Sequence, residues 1–165
     1  MNYAEIFKRF ESLNVIIIGD VMIDSYWWGK VDRISPEAPV PVCTVIKKEH
    51  RLGGAANVAL NIVAMGANPI VCSVIGNDAE GILLTELFTS NQISVEGIVA
   101  SKNRCTTVKT RIIGNNSQML RIDEERNDSL SENDQIVLIE KVKQIKKTKK
   151  IDALIFQDYD KGVIT

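Results

Sequence analysis

The sequence predicts an α/β protein built on a largely parallel sheet, with a second, smaller β-sheet standing away from it. Three observations carry that prediction. Continuous apolar, β-branched runs recur at Asn14–Ile18, Pro69–Ile75 and Ile151–Phe156, followed by Gly19-Asp20, Gly76-Asn77-Asp78 and Gln157-Asp158; runs of this kind read as strands buried on both faces. Stretches with helical periodicity separate them, the alternation expected of α/β layers. Two further stretches, Val21–Ile46 and Cys105–Asp123, are β-rich but break that rhythm.

In chain order, Tyr3–Phe10 places Ile6 and Phe10 on one face and reads as a short helix ahead of the first strand. Val21–Ile46 is rich in Trp, Tyr and Val, holds three of the four prolines, and alternates at Val40 and Val42. Ala56–Met65 is a helix with Leu60 and Val63 on one side, stopped by Gly66. The next helix starts at Asn77 or Asp78, both good caps, and carries Leu83, Leu84, Leu87 and Phe88. Cys105–Ile113 and Gln118–Asp123 flank Gly114-Asn115-Asn116-Ser117, a hairpin signal. Ser131 and Asp134 open a last helix whose buried stripe is Leu138, Val142 and Ile145. Its basic end, from Lys141 to Lys150, reads as a solvated face favoured by the helix dipole. The two irregular stretches form one projecting sheet, spanning about 21–46 and 104–124. Exposed Tyr26, Trp27 and Trp28 on it would cover a ligand or meet another subunit.

Composition removes several classes of function. A chain of 165 residues can bury about 70% of its unfolded surface in one core. Hydrophobic residues at 45% and charged residues at 25% argue against disorder. Lys plus Arg is 20 and Asp plus Glu 21, so the basic excess of a nucleic-acid binder is missing. No apolar run approaches a membrane span, and Met1–Glu11 lacks the apolar core of a secretory signal. Cys43, Cys72 and Cys105 are widely spaced without a C-x-x-C, and His50 is the only histidine. That pattern does not make a zinc site; it reads as a reduced, cytoplasmic protein whose cysteines are apolar fillers. His50, among Lys48, Glu49 and Arg51, reads as a solvated surface residue.

Neither G-x-x-x-x-G-K-[ST] nor G-x-G-x-x-G occurs. The distinctive local feature is Gly53-Gly54-Ala55-Ala56-Asn57 at a helix entry. Paired glycines admit a ligand close to the backbone, the helix N-terminus favours anions, and the Asn57 amide suits sugar hydroxyls. A tight entry turn is the alternative reading of the same residues.

The order Gly53, Gly54, Asn57, Ala59, Gly66, Gly76 resembles the N-terminal signature of the ribokinase-like, PfkB-type sugar kinases. Gly19–Asp24 resembles that family's first strand and following turn, and Gly76-Asn77-Asp78-Ala79-Glu80-Gly81 its G-x-D-x-x-G element. Arg33–Val42, Thr106–Arg111, Gln118–Asp123 and Asp158–Gly162 are similar to the heptose 7-phosphate kinases within it. The resemblance runs from about Asn14 to Thr165. It implies a three-layer α/β/α ribokinase-like fold with a small β-sheet lid. It also implies ATP with Mg2+ as cofactor and phosphorylation of D-glycero-β-D-manno-heptose 7-phosphate at C1, for lipopolysaccharide core. In this family the kinase is often fused to an adenylyltransferase domain.

Carried over residue by residue, the resemblance implies that Asp24 and Asn57 hold sugar hydroxyls, with the Gly53-Gly54 backbone beside them. Lys109 would reach the sugar phosphate from the lid, the alternative being a solvated lysine on an edge strand. Lys161 would neutralise phosphate. Asp158 would bind sugar, with a strand-end cap as its alternative. Asp20 reads as a turn former. The family's catalytic G-x-G-D motif is absent from these 165 residues, and family chains are nearly twice as long. The expectation is therefore the N-terminal half of a kinase domain: sugar site and lid without a catalytic residue, inactive alone, with an exposed apolar edge after Asp158. The partners expected are a sugar phosphate and a second copy of the chain through the lid, with neither nucleic acid nor membrane. The alternative is a non-catalytic sugar-phosphate-binding or dimerisation module.

Overall fold

The computed structural model describes residues 3–165, so the first two residues of the Met1–Glu11 stretch lie outside it. Helix α1 (Tyr3–Phe10) leads into β1 (Asn14–Gly19), which runs almost directly into β2 (Val21–Ile34). Then follow β3 (Pro41–Gly54), α2 (Ala55–Ala64), β4 (Asn68–Gly76), α3 (Ala79–Ser90), β5 (Ile98–Ser101), β6 (Val108–Gly114) and β7 (Ser117–Glu124). Helix α4 (Glu132–Thr148) and β8 (Ala153–Gln157) complete the order.

The main sheet is parallel throughout, in the order β5-β4-β1-β8. Alternate residues of its strands enter two separate cores, as the period of two requires. Val15, Ile17, Val71 and Ile75 pack with Ala55, Ala56, Ala59, Leu84 and Phe88 of α2 and α3. Ile16, Ile70, Cys72 and Val74 point the other way, onto Leu138 and Ile145 of α4. This is the three-layer α/β/α arrangement. The α2 stripe differs from the expectation: Ala55, Ala56, Ala59 and Ile62 are its buried residues, whereas Leu60 and Val63 are only partly buried against the same core. Small side chains let this helix lie close on the sheet. Strand β5 has four residues, too few for a periodicity signal.

Two caps fix helix starts. The Asp78 carboxylate accepts from the Gly81 N–H at 2.7 Å, and Ser131 accepts from Asp134 N–H. The lysines at the basic end of α4 are largely exposed, as expected, and three of them also reach acceptors at the surface. Lys141 donates to the Glu96 carbonyl, Lys149 pairs with the Glu96 carboxylate, and Lys143 pairs with Glu140. The run thereby ties α4 to the loop ahead of β5.

The lid is a four-stranded sheet in the order β3-β2-β6-β7, mixed because β2 and β6 run parallel. Its first arm continues past Ile46 to Gly54, so Lys47–Leu52 are strand residues. Asn115 and Asn116, at φ 51° and 64°, make the tight turn between Gly114 and Ser117, the left-handed pair a two-residue hairpin needs. Tyr26, Trp27 and Trp28 are half-buried rather than exposed. Tyr26 stacks on Trp28 at 6.3 Å and Trp27 lies under Lys48, so neighbouring side chains cover the rings. His50 is half-buried too, with Nδ1 out of solvent, because β3 folds it toward Ser25 of β2. Strand β8 is an edge, and Leu154 and Phe156 on it are exposed.

Candidate functional site

The Gly53-Gly54 pair is where the lid strand β3 becomes helix α2, and both glycines are required by what lies opposite. At Gly53 a Cβ would stand 2.5 Å from Asp24 Oδ2 and 2.9 Å from Met22 Cγ. Gly54 has φ +59° and ψ −134°, a conformation open essentially to glycine, and a Cβ there would overlap the Asp20 carbonyl oxygen. That carbonyl accepts from the first helical N–H, Ala55. The pair is thus a tight entry turn, and it also brings Asp24 beside the start of α2.

A groove of about 430 Å³ opens there, and Asp24, Tyr26, Arg51 and Asn57 line it together with His50 and Leu52. Asp24 and Asn57, 33 positions apart in sequence, therefore face one space, with Asn57 exposed on the first turn of α2. A carboxylate and an amide so placed accept from and donate to vicinal hydroxyls.

Arg111, absent from the sequence expectation, holds Asp24 from β6. Its Nη1 donates to Asp24 Oδ1 at 2.6 Å and to the Lys109 carbonyl at 3.2 Å. The ring of Tyr26 lies between two guanidinium groups, Arg51 Cζ at 4.9 Å and Arg111 Cζ at 5.2 Å from its centroid. Register carries the missing signal: Asp24 faces Arg51 and Lys109 across its two neighbours, and Tyr26 faces Arg111. The K-x-R spacing of Lys109 and Arg111 puts both cations on one face of the strand, once β6 is known to lie beside β2.

Lys109 lies on that face, but on an inner strand rather than an edge. Its ammonium pairs with Asp123 at 3.0 Å and Glu125 at 2.8 Å. Burial lowers its pKa, but the hydrogen bonds it donates to Glu125 and Asp123 outweigh this and the net shift is upward. Lys161 reaches the same Glu125 at 3.2 Å and Asn127 Oδ1 at 3.0 Å. The Glu125 carboxyl is held below its usual range, first by its hydrogen bond to Lys109, with Lys161 adding to it against burial. The two lysines are thus brought together by an acid that the sequence did not single out.

Asp158 does not line the groove with Asp24 and Asn57. Its Oδ1 accepts from the Asp160 N–H at 2.7 Å, just past the end of β8. Asp20 is more than a turn former. It is buried, and its carboxylate accepts from the backbone N–H groups of Tyr159 at 2.8 Å, Lys161 at 3.1 Å and Val163 at 3.2 Å. It fixes the segment after β8 that carries Lys161.

Asp78 links the two sheets. Besides capping α3, it accepts from Thr106 N–H at 2.8 Å and Thr106 Oγ1 at 2.7 Å, just ahead of β6. Burial pushes its pKa up, and the hydrogen bonds from Thr106 and Gly81 more than reverse this, leaving it below the usual value. Among the described residues no group of three His, Cys, Asp or Glu side chains could hold a metal ion, and no helix is long and apolar enough to cross a membrane.

Comparison with known proteins agrees with this architecture. The model for "pfkB family carbohydrate kinase" matches residues 12–162. The chain is 43% identical over 150 residues to the bifunctional protein HldE of Helicobacter pylori (strain HPAG1), covering 91% of this chain and 32% of that protein. It is 46% identical over 156 residues to the bifunctional protein HldE of Desulfatibacillum aliphaticivorans, covering 94% and 32%. It therefore spans about a third of the length of these curated relatives. Among solved structures, phosphofructokinase-2 from Escherichia coli in complex with fructose-6-phosphate superposes with a TM-score of 0.62 at 18% identity. That match covers 88% of this chain and 45% of the other, and a ribokinase-like structure from Agrobacterium tumefaciens superposes with a TM-score of 0.54; these two show the fold. With the family model spanning nearly the whole chain and relatives above 40% identity along it, the chain belongs to the pfkB family of carbohydrate kinases.

Proposed function

We propose that these residues form the sugar-binding part of a cytoplasmic, ATP-dependent kinase acting on D-glycero-β-D-manno-heptose 7-phosphate at C1, in the supply of lipopolysaccharide heptose. The observation that carries the reading is the groove shared by Asp24 and Asn57, in a chain at 43–46% identity to HldE proteins. Asp24 and Asn57 hold sugar hydroxyls, and Gly53 and Gly54 let the backbone and Asp24 close on the sugar. Lys109 and Lys161, bridged by Glu125, fix the lid against the segment after β8, and Asp158 shapes the turn of that segment.

ATP with magnesium supplies the phosphoryl group: the C1 oxygen bonds to the γ-phosphorus, the bond to ADP breaks, and the hydroxyl proton goes to a base. No G-x-G-D motif occurs in these 165 residues to supply the base; the part of these residues is to hold and orient the sugar. Accordingly, the 165-residue chain alone transfers no phosphate. Exposed Ile46, Leu120 and Ile122 on the lid support its use as a contact between two copies.

The experiment is a phosphoryl-transfer assay with a longer protein that includes the G-x-G-D segment, heptose 7-phosphate and ATP, read by phosphorus NMR for a C1 phosphate. Asp24→Ala should abolish turnover while leaving the fold intact. Unchanged kinetics in that variant, or turnover by the 165-residue chain alone, contradicts the reading.

A further inference from the structure

We propose that Arg51 and Arg111, held on either side of Tyr26, read the phosphate of the sugar substrate, in place of Lys109 and Lys161. The inference rests on the sugar-phosphate reading above and names the residues that would recognise the phosphate end of that substrate.

Charge is the first observation. On this face of the lid, Glu49 is shared by Lys47 and Arg51, and Asp123 by Lys109 and Arg121. Glu125 is shared by Lys109 and Lys161, and Asp24 pairs with Arg111. Six cations thus share four carboxylates, an excess of two positive charges that matches a phosphate dianion.

Access decides which cations serve. The side chains of Lys109 and Lys161 are only 16% and 12% exposed, and each ammonium already has two oxygen partners. Arg51 is 57% exposed and lines the groove with Asp24 and Asn57, whereas Arg111, 21% exposed, stands behind Asp24 and reaches the groove beside that carboxylate. A guanidinium offers five N–H donors in a fixed plane, against three on a rotating ammonium. Arg51 engages Glu49 through Nε and Nη2, and Arg111 engages Asp24 through Nη1, so neither fork is fully used. The Tyr26 ring sets both guanidinium groups before a ligand arrives, which lowers the ordering cost of binding.

The arrangement also couples the two ends of a sugar phosphate. Arg111 touches Asp24, the carboxylate assigned to the hydroxyls, while its remaining N–H groups meet the phosphate. Arg51 touches the phosphate alone. The two arginines therefore differ in what their removal should do.

The test is calorimetric titration of the 165-residue chain with heptose 7-phosphate, free heptose, fructose 6-phosphate and ATP. Variants are Arg51→Gln, Arg111→Gln, Arg111→Lys and Lys109→Gln, with melting curves to check folding. Arg51→Gln should weaken heptose 7-phosphate about 10- to 100-fold, the equivalent of a lost charged hydrogen bond, with free heptose unaffected. Arg111→Gln should weaken both, and Arg111→Lys should restore part of the phosphate affinity. Loss of heptose 7-phosphate affinity in Lys109→Gln with none in Arg51→Gln overturns the inference and leaves the sugar site standing. So does loss of ATP in place of sugar phosphate in Arg51→Gln. If fructose 6-phosphate binds more tightly than heptose 7-phosphate but still depends on Arg51, the phosphate reader stands and the heptose assignment fails. No binding of any sugar phosphate by the folded chain overturns both.

Discussion

Asp20→Asn is the substitution whose cost the structure defines most closely. The buried carboxylate accepts three backbone N–H groups, two on Oδ2 (Tyr159, Lys161) and one on Oδ1 (Val163). Asparagine keeps the shape but has one acceptor oxygen. Turned so that this oxygen meets Tyr159 and Lys161, its NH2 group confronts the Val163 N–H. An unsatisfied buried donor costs about 1–3 kcal/mol, and the two surviving bonds lose the strength a charged acceptor gave them. The expected loss is about 2–4 kcal/mol, a large share of the 5–15 kcal/mol typical of a domain. Urea titration followed by Trp27 and Trp28 fluorescence should show the midpoint falling by roughly 1–2 M. Hydrogen exchange at Tyr159, Lys161 and Val163 should accelerate more than at Ile17 in the core. A variant within about 0.5 kcal/mol of the parent, the range of an ordinary surface change, would refute the reasoning. The segment would then be held by its other ties, Arg104 to the Lys161 carbonyl and Leu130 to the Gly162 carbonyl.

Three further outcomes are expected. Gly53→Ala should destabilise by about 1–3 kcal/mol through overpacking, and the penalty should shrink in an Asp24→Ala background, because Asp24 Oδ2 is the nearest obstacle; equal penalties in both backgrounds would remove the clash as the cause. Asp78 has a lowered folded-state pKa, so its contribution is fully present above the ordinary value of 3.8 and fades as pH falls through the lower folded value; the stability gap between wild type and Asp78→Asn should narrow from pH 7 to pH 3, and a constant gap would contradict this. Burial pushes the Cys72 thiol up to about 11, with Glu96 adding to it, so native labelling at pH 8 should modify Cys43 and Cys105 first, and Cys72 labelling at the same rate would be contrary.

The parts of the fold that follow from local pattern were readable from the chain. The strands near Asn14, Pro69 and Ile151 announce themselves by continuous apolar runs, and the Asp78 and Ser131 caps and the Asn115-Asn116 turn each rest on contacts within a few residues. Asp24, Gly53 and Asn57 were legible through their resemblance to a family, and the structure gives Gly53 its reason, the approach of the Asp24 carboxylate. Long-range pairing was not legible. Arg111 becomes a neighbour of Asp24 only because β6 runs parallel to β2, and Asp20 meets Val163 across 143 positions. The burial of His50 and of the aromatic trio likewise depends on β3 extending to Gly54, where the charged neighbours Lys48, Glu49 and Arg51 had suggested a solvated surface histidine.

The central claim is that Asp24 and Asn57 bind one sugar phosphate in a single groove. The direct measurement is a 15N-resolved NMR titration of this chain with heptose 7-phosphate. Saturable shifts of the Asn57 side-chain amide and of the Gly53, Gly54 and Arg51 backbone amides are predicted, all lost in Asp24→Asn. Shifts confined to other surfaces, or an undiminished response in Asp24→Asn, would contradict the account.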